Sequence, residues 1–171
     1  MNINNEEEIE NLVSIFQSAE AILSNFTNLS KKFMETHKRY VEDGVNLEVC
    51  EDLMEILHYA LELKACCDIK CVIQEQNSNK TKLISKQMLD RTYPINIINE
   101  IMDFIKYIKE NSENIDDDIF LDLLKDTMTA IAINIDNMRN TMNNINDDYK
   151  KSGEQLRKLN IGMAKVKTKV K

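Results

Sequence analysis

The sequence predicts an all-α protein: an up-down-up-down four-helix bundle with a kinked third helix and a long C-terminal coiled-coil helix. Three observations carry that reading. Apolar residues recur in alternating steps of three and four along most of the chain, which keeps them on one helical stripe. Only 3 Gly and 1 Pro interrupt 171 residues, too few for a fold rich in tight turns. With 43% hydrophobic residues, the chain is long enough and apolar enough to bury a core.

The first helix is expected over about 6–42. Its stripe runs Ile9, Leu12, Phe16, Ala19, Leu23, Phe26, Ser30, Phe33, His37 and Tyr40. Val13, Ile22, Leu29 and Val41 widen the stripe, as in a helix that touches two neighbours. Gly44 suits the left-handed position that ends a helix. The second helix is expected over about 47–76, with Leu47, Cys50, Leu53, Met54, Leu57, Ala60, Leu61, Ala65, Cys67, Ile69, Val72 and Ile73 on its apolar side. Asn77-Ser78-Asn79 then reads as a polar turn.

Lys82 to Arg91 reads as a short helix interrupted before Pro94, because a residue preceding proline disfavours helical dihedrals. A longer piece follows over about 95–111, with Ile98, Ile101, Met102, Ile105 and Ile108 on one face. Together the two pieces make the kinked third helix. Asp116-Asp117-Asp118 opens the fourth, placing negative charge at a helix N-terminus.

The fourth stripe is the clearest in the chain. It reads Leu121, Leu124, Met128, Ile131, Ile135, Met138, Met142, Ile145, Tyr149, Ser152, Leu156, Leu159, Met163, Val166 and Val170. A continuous helix over that span would be about 75–80 Å long at 1.5 Å per residue. Lys150-Lys151-Ser152-Gly153 also resembles a helix end, a basic last turn followed by glycine. The unbroken heptad phase through Gly153 favours continuity instead.

Charge divides near the same place. The whole chain carries 22 Lys+Arg and 29 Asp+Glu, a net −7. Yet after Tyr149 there are eight basic residues (Lys150, Lys151, Arg157, Lys158, Lys165, Lys167, Lys169 and Lys171) against Glu154 alone. The expected organisation is a helical bundle over 1–148 and a basic extension of the fourth helix over 149–171. The acidic start lacks the basic and apolar regions of a secretory signal, and no stretch approaches the roughly 18–20 apolar residues of a membrane span. An intracellular, soluble, cytoplasmic protein is expected.

Chemistry-bearing constellations are sparse. Cys50, Cys66, Cys67 and Cys71 do not make a disulfide scaffold in a chain of this size. On a helix Cys67 and Cys71 would share a face one turn apart, which opens a thiol or metal-responsive alternative, with zinc needing two further ligands. Buried cysteine acting as a small hydrophobe is the ordinary outcome. Glu55-Ile-Leu-His58 has the spacing of di-iron bundles, but those sites need a second such pair and two further glutamates, and the other histidine, His37, has Met34 at the matching position. His37, at a stripe position, reads as an interior or boundary histidine. With two histidines, no glycine-rich phosphate loop and no nucleophile elbow, the chain is expected not to be an enzyme and to need no cofactor or metal. A small-molecule substrate is not expected either.

Residues 149–170 include Gly153-Glu-Gln-Leu156-Arg-Lys-Leu159-Asn-Ile-Gly162-Met163. This run resembles the middle of a SNARE helix, a family whose helices assemble in fours to fuse membranes. The resemblance implies Ser152 in the polar layer and Tyr149, Leu156, Leu159, Met163, Val166 and Val170 in apolar layers. It also implies that the preceding helices form a regulatory bundle. The chain departs from that pattern in having Ser rather than Gln or Arg at the polar layer, and in lacking several later layers.

The first three helices are too short to cover the fourth stripe beyond about Tyr149. Leaving large apolar side chains there in water forfeits roughly 1.5–3 kcal/mol each. The functional expectation is a non-enzymatic interaction or assembly module that self-associates or binds a partner helix through Tyr149, Ser152, Leu156, Leu159, Met163, Val166 and Val170. The basic residues beside them favour an acidic protein partner or a second protomer over anionic lipid or nucleic acid. The alternatives are the SNARE-like fusion protein and the thiol or metal protein.

Overall fold

The computed structural model describes residues 5–44, 47–77 and 79–169, with side chains described up to Leu159 except that of Leu47. Among them are four helices, α1 (Asn5–Asp43), α2 (Leu47–Cys66), α3 (Thr92–Glu110) and α4 (Asp117–Lys169), and two strands, β1 (Asp68–Gln74) and β2 (Thr81–Gln87). The chain is thus mostly helical, as expected, with a small antiparallel sheet that the periodicity did not predict. No described helix is long and apolar enough to cross a membrane.

The helix ends follow local chemistry. Glu6, Glu7 and Glu8 occupy the first turn of α1, where the helix dipole favours anions. Gly44 closes α1 with φ +73°, its N–H donating to the Tyr40 carbonyl at 3.2 Å. Asp116 Oδ1 accepts the Ile119 N–H at 2.9 Å and so caps α4. Before α3, Asp90 Oδ1 accepts the Thr92 N–H at 2.9 Å. That backbone bond holds the Asp90 carboxyl below its ordinary range. Pro94 sits buried in the first turn of α3, where its missing N–H costs nothing.

Two expectations fall between Cys66 and Arg91. The second helix stops at Cys66 instead of running to about 76, and the first piece of the kinked third helix is strand β2. The two segments form a hairpin whose register pairs Asp68 with Gln87, Val72 with Leu83 and Gln74 with Thr81. β-Branched Ile69, Val72, Ile73 and Ile84 suit a pleated surface better than a helix. Asn77 (φ +64°) supplies the left-handed residue in the connection. At the hairpin base, the Cys67 carbonyl accepts the Met88 N–H at 2.8 Å.

The chain divides into two compact units. One comprises Met1–Leu23, Cys66–Leu89 and Met142–Lys171, the other Ser24–Ala65 and Asp90–Thr141. In the first unit, Ala19 and Ile22 of α1, Cys67, Ile69 and Leu89 of the hairpin region, and Met142 and Ile145 of α4 are buried.

The second unit consists of four helical segments. Lys32 and Arg39 of α1 reach Asp52 of α2. Asn96 of α3 donates to Asn134 of α4 at 3.1 Å, and the Phe104 and Phe120 rings meet edge-on at 5.6 Å. Arg139 of α4 reaches Ser30 of α1 at 3.2 Å. Its core includes Leu29, Leu53, Ile56, Leu63, Ile97, Ile101, Leu124, Ile131 and Met138, each at most 1% exposed.

Two apolar faces differ in part from the expected ones. On α2, Leu53, Leu57 and Ala60 are buried as expected, but Val49, Ile56 and Leu63 are buried with them whereas Met54 and Leu61 are exposed. On α3 the buried set is Pro94, Ile97, Ile101 and Phe104, while Met102 is exposed. Both helices carry apolar residues on more than one face, so spacing alone did not fix which face turned inward.

Candidate interaction surface

The distal part of α4 lies in the first unit, and its stripe is covered further than expected. Tyr149 is half-buried, its ring stacked on Phe16 of α1 with centroids 4.8 Å apart and planes at 16°. Ser152 is 3% exposed. Its hydroxyl donates to the Asp148 carbonyl at 2.6 Å, with the Tyr149 carbonyl 3.1 Å away, so the polar group is satisfied within its own helix. The expectation that intramolecular cover ends at about Tyr149 is therefore corrected: cover continues to Ser152.

Gly153 explains how. α4 runs unbroken through this glycine to Lys169, as the heptad phase predicts. A Cβ placed on Gly153 would lie 3.1 Å from Phe16 Cε2, so the missing side chain lets the Phe16 ring lie close against α4. The glycine costs about 1 kcal/mol of helix propensity relative to Ala. A larger residue would lose the aromatic contact instead. Gly153→Leu is expected to destabilise the protein by about 1–3 kcal/mol through overpacking. Adding Phe16→Ala should remove most of that penalty, because the ring that collides is gone. Thermal denaturation of the two single variants and the double variant measures the coupling.

Beyond Gly153 the stripe opens. Leu156 is half-buried and lines a shallow cleft of about 450 Å³ with Phe16, Tyr149, Lys150, Gly153, Glu154 and Arg157. Leu159 is 37% exposed. Lys150, Lys151, Arg157 and Lys158 are exposed around it. Met163, Val166, Lys165, Lys167 and Lys169 have side chains outside the described residues, as do Val170 and Lys171 entirely. The structure thus stacks Tyr149 on α1, buries Ser152, and leaves Leu156 half-buried and Leu159 exposed.

The cysteine and histidine constellations change with the hairpin. Cys67 is fully buried just after α2, and Cys71 lies within β1. Four residues of extended chain span roughly 13 Å, so the two thiols do not share a helical face one turn apart. No group of three potential metal ligands occurs among the described residues. Glu55 is engaged by Lys32 at 3.0 Å, and His58 is exposed with its ring 5.6 Å from that of Tyr59.

His37 is exposed rather than interior, its ring 6.2 Å from that of Phe33. Both line a cleft of about 510 Å³ with Tyr40, Lys125, Met128 and Asp136 among its other walls. Cys50, Leu53, Met54, Phe104, Ile105, Ile108 and Lys109 line a separate cleft of about 330 Å³. Burial raises the Cys50 pKa above its ordinary value, keeping the thiol protonated and poorly nucleophilic.

Sequence reasoning did not single out Phe16 or Asn11, the two α1 residues that fasten the first unit. Phe16 was visible only as one stripe member among many. Asn11 lies between Glu10 and Leu12, with nothing in its neighbourhood to mark it. No family model, no curated protein and no solved structure matches the chain.

Proposed function

We propose that the protein is a non-enzymatic helical interaction module that docks a helix of another polypeptide, or of a second copy, along α4 beyond Ser152. In this reading the four helices form an up-down-up-down bundle, and the distal part of α4 adds one strand to an intermolecular coiled coil. The observation that carries the proposal is the change of exposure along one continuous helix. Met142, Ile145 and Ser152 are buried, Leu156 is half-buried and Leu159 is exposed, while the backbone remains helical to Lys169.

The sequence carries the stripe onward through Met163, Val166 and Val170 in the same phase. Covering Leu156 and Leu159 contributes at most roughly 1.5–3 kcal/mol each, less the part already shielded. The exposed Lys150, Lys151, Arg157 and Lys158 favour a partner surface with carboxylates at its rim, which would steer association and set register.

Leu156→Glu with Leu159→Glu tests this directly. Light scattering at two widely separated concentrations, and capture by a peptide of residues 154–171, are the readouts. The unaltered protein should associate or be captured, and the double variant should do neither while keeping its helical circular dichroism. An unaltered protein that stays monomeric at both concentrations and captures no helix would overturn the proposal.

A further inference from the structure

The two-stranded sheet has one edge that α1 occupies and one that it does not. Val72 of β1 donates its N–H to Asn11 Oδ1 at 2.9 Å and accepts Asn11 Nδ2 at 3.0 Å. Both backbone groups of Val72 therefore point away from β2, which makes Val72↔Leu83 a non-hydrogen-bonded pair. The Glu75 N–H bond to the Lys80 carbonyl and the Met88 N–H bond to the Cys67 carbonyl have the parity this requires. By the same alternation, the N–H and C=O groups of Thr81, Leu83, Ser85 and Gln87 face outward from β2. Six of the seven β2 residues are exposed, and among the described residues the sheet has no strand beyond β2. Such an edge is a template for another extended chain.

The side chains say which chain. Lys82 and Lys86 flank the half-buried Ile84 on one face of β2, and Leu83 stands 64% exposed on the other. Thr81–Gln87 holds no acidic residue. A second copy pairing antiparallel about Ile84 would set Lys82 directly opposite the other copy's Lys86, twice, and like charges directly opposite are destabilising. An acidic strand meets the same two lysines with opposite charge.

We infer that the open edge of β2 binds an extended acidic segment of a partner protein by strand addition, reading an acidic–x–apolar–x–acidic pattern. The two carboxylates lie opposite Lys82 and Lys86, the apolar residue lies opposite Ile84, and neighbouring positions meet Leu83 and Ser85. The pattern is symmetric, so parallel and antiparallel addition both satisfy it. This surface is independent of the α4 stripe, and either proposal can fail alone.

The probe is the peptide Thr-Glu-Thr-Ile-Val-Glu-Thr, titrated into the whole protein and followed through backbone amide resonances. The outward amides of Leu83, Ser85 and Gln87 should shift on binding and become protected from exchange, and those of Lys82, Ile84 and Lys86 should change little. Replacing both glutamates by lysine should weaken binding about tenfold. Methylating alternate backbone nitrogens of the probe should abolish it.

Two variants complete the test. Ser85→Pro removes an outward donor without touching the ladder to β1 and should lose the probe. Lys82→Glu with Lys86→Glu should reverse the preference in favour of the lysine peptide, a gain that an unfolded variant cannot show. Equal binding of the methylated probe would overturn strand addition. Indifference to the charge of the probe would overturn the acidic partner. Dimerisation of the protein that Ser85→Pro abolishes would make the occupant a second copy and overturn it as well.

Discussion

Replacing Asp52 by alanine lowers the stability of the protein by about 2–3 kcal/mol. The carboxylate is only 6% exposed and binds two cations of α1, Lys32 at 3.1 Å and Arg39 through its Nη1. Breaking a buried ion pair from one side costs about 3–5 kcal/mol, because the remaining charge stays desolvated. The loss here is smaller. Lys32 keeps Glu55 at 3.0 Å and Arg39 keeps Glu48 at 3.7 Å, and their side chains are 17% and 32% exposed. Asp52→Asn, which keeps the shape and one acceptor, should cost less than Asp52→Ala. Denaturant midpoints order the three proteins.

The same cluster gives the protein an alkaline limit. Hydrogen bonds to Glu55 first, and to Asp52 second, raise the Lys32 pKa above its ordinary value of 10.5. A raised pKa in the folded state means that the stabilising charge is fully present below 10.5 and is lost as pH climbs through the folded value. Stability should therefore fall with pH on the alkaline side, and the fall should be shallower in Asp52→Ala. A fall of equal steepness in both proteins would remove Asp52 as a cause.

Much of the helical architecture is legible in the sequence because its signals are redundant. Gly44, the acids opening α1 and α4, and the phase of fifteen stripe positions each point to the same boundaries. Continuity through Gly153 is legible for the same reason: a loop has no cause to preserve phase. The hairpin was not legible, because Cys67, Ile69, Val72 and Ile73 fit a widened helical face as well as they fit an alternating strand. Short apolar runs are ambiguous between the two until length and flanking turns arbitrate. The Asn77-Ser78-Asn79 turn was in view, but its consequence, that both flanking segments are extended, depends on partners elsewhere in the chain.

The stripe on α4 was legible in outline, but the end of its intramolecular cover was misplaced by one turn. Spacing identified the stripe but could not show that Phe16 lies over Tyr149 and Gly153, because the contact joins residues more than a hundred positions apart. Ser152 shows the same limit. In the heptad pattern it stands out as a polar interruption, inviting a role in recognition. In the structure its hydroxyl is satisfied by carbonyls of its own helix, and it behaves as a small buried side chain.

Asn11→Ala is expected to cost about 2–4 kcal/mol and to release β1 from α1. The side-chain amide presents one acceptor and one donor to the two backbone groups of Val72, at 2.9 and 3.0 Å, as an adjacent strand would. Its orientation follows from its partners, since the N–H of Val72 needs an oxygen and the carbonyl needs a donor. Each backbone group left unsatisfied away from water costs about 1–3 kcal/mol, and the half-buried setting of Val72 keeps the sum below the upper limit. Amide exchange at Val72 should accelerate in the variant, while exchange in Leu53 or Ile101 of the other unit should change less. Asn11→Asp separates the two bonds. Its ionised carboxylate still accepts the Val72 N–H but sets an anionic oxygen against the carbonyl, whereas the protonated form regains a donor. The folded-state pKa of that aspartate is therefore raised, so the variant should be most stable below the ordinary carboxylate range and weaken as pH rises through the raised value. A variant whose stability is flat across that interval would show that Val72 finds its partners in water, and that α1 does not hold the strand by this amide.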